Sequence, residues 1–128
     1  MKKLPEVMGL VLCEKMHIDP ALRRISLEGL TLSLRSAVFP MFPMQLSAYA
    51  ALFDGRGEGE MCLTCTRLET EKDIYYHKQW RSFPTPGRTT MLTLPIRDLI
   101  LPAPGRYSFS LSFDRQTLTT YFLDVQRG

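Results

Sequence analysis

The stretch that decides the fold is Pro104-Gly105-Arg106-Tyr107-Ser108-Phe109-Ser110-Leu111-Ser112-Phe113. A turn at its start leads directly into strict alternation, with apolar side chains at every second position and serines between them. Successive side chains of a β-strand point to opposite faces of the sheet. A period of two over this length therefore predicts a strand with one buried face.

The residues that follow this strand predict a hairpin. Asp114-Arg115-Gln116 is a turn, and Thr117–Val125 returns as a second strand. Similar runs recur back to residue 7, and the nine prolines lie between them. Because proline cannot donate a hydrogen bond to a neighbouring strand, this placement indicates that the runs are strands.

The runs predict an all-β fold with little helix. No segment shows a helical stripe over eleven or more residues, and one helical turn is expected at Arg97–Leu101. At 128 residues the chain is long enough to form one domain with its own core. We therefore expect residues 1–128 to form a single domain of seven to nine strands, either a sandwich or a barrel. The resemblance described below for Tyr107 favours a single antiparallel β-sandwich.

Three segments carry more specific expectations. The first half of Glu6–Asp19 is apolar at nearly every position, which predicts a central strand covered on both faces. Gly29 is expected to mark a bulge or a break. The segment 54–59 contains three glycines and predicts a hairpin loop.

Tyr107 stands two residues after Gly105, at the start of a strand near the C-terminus. This arrangement resembles the tyrosine corner of immunoglobulin-like domains, in which the phenol hydrogen-bonds to backbone upstream. The resemblance implies an immunoglobulin-like or C2-like sandwich. We expect the ring to be buried beside the Leu101–Gly105 turn, with its hydroxyl bonded to a backbone group.

A second resemblance covers most of the chain through short motifs. These are Leu12-Cys13-Glu14 with Asp19, Arg24–Leu30, Phe39-Pro40, Leu46–Leu52 and Gly105-Arg106-Tyr107. Together they are similar to a family of small uncharacterised bacterial proteins. The resemblance implies a single all-β domain without an established activity, and it supplies no catalytic residues.

Charge and composition exclude several partners. The net charge is +3, and the 16 basic residues never form a run longer than two, so we expect no nucleic-acid binding. No stretch approaches the roughly 20 apolar residues of a membrane span, and the N-terminus does not resemble a signal peptide. Three cysteines make no even disulfide framework, which favours a reducing cytoplasm.

No set of residues predicts catalysis, a metal site or a cofactor. Cys62 and Cys65 have the spacing of a zinc knuckle, but residues three apart in a strand face opposite ways. His17 and His77 are the only imidazoles, and no serine lies in a nucleophile-elbow context. The glycines of segment 54–59 lack the lysine of a phosphate loop. We therefore expect a non-enzymatic protein.

One constellation is a candidate binding face. In a strand over residues 74–83, one face carries Tyr75, His77, Gln79, Arg81 and Phe83, and the other carries Ile74, Tyr76, Lys78 and Trp80. Tyrosine and arginine are enriched at binding hot spots, which favours an interface formed by Tyr75, His77, Arg81 and Phe83. The alternative is that these rings fill the core and cover its rim.

Three functions follow from these patterns. The first is a protein-binding or assembly module that takes a protein partner or a second copy, through a sheet edge or the Tyr75–Phe83 face. The second is a carbohydrate- or small-ligand-binding domain that uses the same rings. The third is a small hydrolase whose carboxylates converge only in three dimensions, namely Glu14, Asp19, Asp54 and Asp114.

Overall fold

A computed structural model of the chain describes residues 2–22, 24–43, 45–83 and 85–128. Within them nine strands follow one another: β1 (Glu6–Asp19), β2 (Arg24–Leu30), β3 (Ser33–Ser36), β4 (Ser47–Phe53), β5 (Gly57–Arg67), β6 (Lys72–Phe83), β7 (Thr89–Pro95), β8 (Gly105–Phe113) and β9 (Gln116–Arg127). None of these described residues lies in a helix, which confirms the all-β prediction.

The strands form two sheets around one core. A four-stranded sheet has the order β2-β1-β4-β7, and a five-stranded sheet has the order β3-β9-β8-β5-β6. Buried side chains from both sheets join in a single hydrophobic cluster, which includes Leu12, Ala50, Leu63 and Phe109. The alternating apolar residues of β8 therefore line this core.

The C-terminal hairpin is confirmed. β8 and β9 are antiparallel, with Phe113 opposite Gln116 and only two residues between them. Both of these, Asp114 and Arg115, have positive φ (49° and 68°). Two consecutive positive φ values define a type I′ turn, whose twist matches that of the strands it joins.

The contact predicted for Tyr107 is also confirmed. The side chain is fully buried. Its hydroxyl donates to the carbonyl oxygen of Ala103 at 2.6 Å and accepts from the Ala103 backbone nitrogen at 3.3 Å. One phenol thus satisfies both backbone groups of a residue in the turn that enters β8.

Several sequence expectations are wrong. β3 pairs with β9 in parallel, so the arrangement is not wholly antiparallel. The segment 54–59 connects β4 in one sheet to β5 in the other and is not a hairpin loop. The helical turn at Arg97–Leu101 does not form, because Asp98 adopts a φ of 61° that a right-handed turn excludes. Gly29 lies inside β2, at a φ of 69°, and does not end a strand.

Candidate interaction surfaces

The outer side of the four-stranded sheet is apolar where three strands meet. β4 lies between β1 and β7, which places Ala51 opposite both Gly9 and Met91 and Tyr49 opposite Val11. Met8 stands at a register shift in β1. We name the outward apolar side chains of these strands the apolar face: Met8, Val11, Tyr49, Ala51, Phe53 and Met91.

The apolar face is open to solvent. None of its six side chains is charged, and its border includes Glu6, opposite Phe53, and Thr93, opposite Tyr49. Val11, Tyr49 and Ala51 are half-buried by their neighbours within the sheet. The exposed fraction is larger for Met8 (64%), Met91 (49%) and Phe53 (36%). The alternate side chains of the same strands lie in the core. The outer sides of β1 and β4 are therefore largely apolar as well, whereas β7 contributes Met91 between Thr89 and Thr93.

The five-stranded sheet has a different outer side. Its register forms a row across four strands in which Thr64 lies between Tyr76 and Ser110, and Ser110 lies opposite Thr120. A polar outer face over an apolar inner face is the usual pattern of an antiparallel sheet in contact with water. The four-stranded sheet departs from this pattern at the apolar face, whereas the five-stranded sheet interleaves exposed rings such as Trp80 and Phe122 with its polar rows.

Sequence reasoning did not identify the apolar face, although the signal was present. The apolar positions of β1 were taken to mean burial on both sides, and β1 is indeed a central strand of its sheet. Exposure of Met8 shows that the second side is uncovered in this chain. A strand with two apolar faces in a two-layer protein has one apolar face that the second layer does not cover.

The strand that was expected to carry a binding face is β6, an edge strand of the five-stranded sheet. Phe83 is only 6% exposed and packs edge-to-face on Phe113, with ring centroids 5.4 Å apart. Phe83 is therefore unavailable to a partner. Tyr75, His77 and Arg81 are half-buried on the inward side of the strand, at the rim of the core.

Tyr75 and His77 line a surface cavity of about 380 Å³ together with Pro95, Arg97 and Asp98. Burial raises the pKa of Tyr75, and the backbone amide of Arg97 partly offsets this shift. The structure thus brings two of the predicted residues together with a loop that follows β7. Arg81 lies four residues further along the strand.

The outward side of β6 carries exposed rings. Tyr76 and Trp80 are 63% and 65% exposed. Lys78 lies between them, with its Nζ 5.8 Å from the centre of the Tyr76 ring and 4.0 Å from a carboxylate oxygen of Glu60. Sequence reasoning placed these side chains on one face correctly, and Ile74 leaves that face because a register shift lies beside it.

The cysteines occupy opposite sides of β5, as strand alternation predicts. Cys65 is fully buried, and burial together with the nearby charge of Asp73 raises its pKa to about 12. Cys62 is half-buried on the outer side, with its sulfur 3.5 Å from the hydroxyl oxygen of Thr64. No group of three or more potential metal ligands occurs among the described residues.

The carboxylates named for a hydrolase lie in separate places. Glu14 lines a cavity of about 470 Å³ beside β3, and Asp114 lines another of about 280 Å³ with Glu60 and Arg115. Asp19 instead accepts hydrogen bonds from backbone amides of the β1–β2 turn. Asp54 lies in the connection between the sheets, paired with Lys3.

Two of these carboxylates act as electrostatic anchors. Asp54 bonds to Lys3 and accepts from the backbone nitrogen of Gly87 at 2.7 Å. Asp114 bonds to Lys2 and accepts from the backbone nitrogen of Glu60 at 2.9 Å. The hydrogen bond from the lysine has the largest effect on each carboxyl, and the backbone hydrogen bond adds to it. Together they hold the pKa of each carboxyl below its usual range. Such groups stay ionised and are unsuited to act as general acids.

The Asp54 anchor predicts a loss of stability in acid. Its stabilising contribution is complete above the unfolded carboxyl pKa of about 3.9 and disappears as pH falls through the lower folded value. We expect Asp54→Asn to flatten the dependence of the urea midpoint on pH between about pH 2 and pH 5. Lys3→Gln should have a similar effect, and the double variant should add little. An unchanged profile for Lys3→Gln would contradict the assignment.

Comparison with known proteins found no match for this chain, either among protein-family models or among curated proteins. The resemblance to small bacterial proteins stays a prediction. In the part of the chain that the structure describes, no helix has the length and apolar character needed to cross a membrane.

Proposed function

We propose that this protein is a non-enzymatic binding or assembly module that contacts a protein partner through the apolar face. The observation that carries the proposal is the contrast between the two sheets. The outer side of one sheet interleaves its exposed rings with charged and hydroxyl side chains such as Lys78 and Ser110, whereas the other sheet exposes Met8, Phe53 and Met91 on neighbouring strands. Contiguous apolar patches on soluble proteins mark interaction sites.

The chemistry of the patch supports a protein partner. Methionine is flexible and polarizable, so Met8 and Met91 fit an apolar surface of varied shape. Phe53 and Tyr49 add rings, which are enriched in the buried centre of interfaces. None of the six side chains is charged, so a partner can cover them without burying an unpaired ion, provided that Glu6, opposite Phe53, stays at the rim of the contact.

Photo-crosslinking in the cells that make the protein tests this function. Benzoylphenylalanine in place of Phe53 is expected to give a discrete crosslinked species, because Phe53 lies on the apolar face. The matched control replaces Phe122, which is 53% exposed on the other sheet. A species at twice the mass of the chain would identify a second copy as the partner.

A second substitution makes the crosslinking result specific. Met91→Glu places a charge on the apolar face and should abolish the crosslink from Phe53, while Thr120→Glu on the opposite sheet should leave it intact. Both variants should keep the wild-type urea midpoint. Equal crosslinking from Phe53 and Phe122, or none from Phe53, would refute the proposal.

Carbohydrate binding is a second candidate, favoured by the outer side of the five-stranded sheet. Exposed Tyr76 and Trp80 adjoin rows of hydroxyl groups, including Ser110 and Thr120, whose oxygens lie 3.2 Å apart. Rings of this kind stack on flat ligands and hydroxyls supply hydrogen bonds. Trp80 is the only tryptophan, so a soluble polysaccharide that binds here would shift the intrinsic fluorescence of the protein.

We also infer an immunoglobulin-like sandwich and a cytoplasmic location. The Tyr107 contact with Ala103 supports the fold assignment, since it matches the role of a tyrosine corner. Three free cysteines, two of them buried, support a reducing compartment.

A further inference from the structure

The edge of β6 is the longest of the four sheet edges. β6 has 12 residues, no proline described within it, and one neighbour, β5. The other edge strands are shorter, with seven residues in β2, four in β3 and seven in β7, which ends at Pro95. Short strands and prolines protect edges from pairing with another chain, and β6 has neither of these two devices. Its edge is protected at its start, by Lys72 and the register shift beside Ile74, so the stretch from Tyr75 to Arg81 is the part open to pairing.

The inward rim of this edge carries a guanidinium without an acidic partner. Arg81 appears in none of the ion pairs formed by the described residues. With the amide of Gln79 oriented to accept, its oxygen lies 2.9 Å from Nε and 3.2 Å from Nη2 of Arg81. The glutamine positions the guanidinium and leaves its charge uncompensated.

A cavity lies next to the same edge, four residues along the strand from Arg81. It has a volume of about 380 Å³ and is lined by Tyr75 and His77 from β6 and by Pro95, Arg97 and Asp98. In strand addition, backbone hydrogen bonds give affinity, and pockets for alternate side chains give specificity. The edge of β6 therefore combines unpaired backbone groups, the guanidinium of Arg81 and the cavity at Tyr75 and His77 along a single strand.

We propose that β6 binds an extended acidic peptide segment by strand addition, separately from the apolar face. The segment pairs with the free edge of β6, and one of its inward carboxylates meets Arg81. Because alternate residues share a face, an inward side chain four residues away enters the cavity at Tyr75 and His77. Charge complementarity at Arg81 selects an acidic segment over a basic one.

Fluorescence polarization with three labelled peptides tests this inference. The probe is a short peptide that alternates glutamate with valine. The second peptide replaces each glutamate by lysine, and the third replaces each valine by proline, which keeps the charge but prevents strand pairing. Only the first is expected to bind. Arg81→Gln should weaken its binding roughly ten- to a hundredfold, as for loss of a charge-assisted hydrogen bond.

Arg35→Gln is the matched control. Arg35 lies on β3 at the opposite edge of the same sheet and also bonds to a glutamine, with its Nη2 2.8 Å from Gln126. The Arg35→Gln variant should bind the acidic peptide with the same affinity as the wild type. No binding of the glutamate–valine peptide, equal binding of the lysine or proline peptide, or an equal loss in Arg35→Gln would overturn the proposal. A dimer in which two β6 strands pair and thereby exclude the peptide would also overturn the proposal. None of these results bears on the crosslink from Phe53.

Discussion

Replacing Tyr107 by alanine is expected to lower the free energy of unfolding by roughly 3–5 kcal/mol, the range for large buried side chains. The ring is fully buried in the core, and its hydroxyl satisfies the backbone nitrogen and oxygen of Ala103. The change therefore creates a cavity and removes the partner of two backbone groups. Urea denaturation gives the free energy directly.

Removing only the hydroxyl separates these two contributions. Tyr107→Phe should cost about 0.5–1.5 kcal/mol, or more if the backbone groups of Ala103 stay unsatisfied. Tyr76→Phe is the control, since Tyr76 is 63% exposed and its hydroxyl should contribute little. A urea midpoint that stays fixed in Tyr107→Phe and in Tyr107→Ala would contradict a structural role for this side chain.

Replacing Phe83 by alanine should also cost roughly 3–5 kcal/mol, because this ring belongs to the core. It is 6% exposed, stacks edge-to-face on Phe113, and lies so close to Gly55 that a Cβ there would come within 2.8 Å of the ring. The loss should appear in urea melts of the purified protein, without any partner present.

Trp80 provides the matched control for Phe83. It lies on the same strand but on its outer side, with 65% of its surface exposed, so Trp80→Ala should change stability by no more than about 0.5 kcal/mol. A stable Phe83→Ala variant would support the original interpretation of this ring as part of a binding face. A large loss in Trp80→Ala would show that the outer side of β6 is itself packed.

The sequence predicts where strands form, but it does not predict which strands pair with one another. Alternation in residues 105–113 is a local property of the chain, and β8 follows it closely. Pairing depends on distant residues. Only two residues separate β2 from β3, yet they lie in different sheets, and β3 pairs with the last strand of the chain. No local sequence pattern distinguishes a connection that passes from one sheet to the other from a hairpin within one sheet.

The candidate sites show the same limit. The period of two divides β6 into two faces but does not say which one is covered, so the sequence interpretation placed the buried Phe83, and not the exposed Trp80, on the candidate binding face. A register shift opposite Cys65 and Thr66 also moves Ile74 inward, where it packs on the core beside Tyr75. The exposure of the apolar face was not foreseen, because a strand that is buried on both sides and one that is exposed on one side can carry the same apolar residues.

Hydroxyl-radical footprinting tests the central claim most directly, by comparing the dilute purified protein with the protein in extracts of the cells that make it. Met8 and Met91 are 64% and 49% exposed and should oxidise readily in the dilute protein. Trp80, 65% exposed, and Met61, 1% exposed, serve as open and buried references. The account predicts that Met8 and Met91 become protected in the extract while Trp80 does not. Equal oxidation of both methionines in the two samples would contradict a partner on the apolar face.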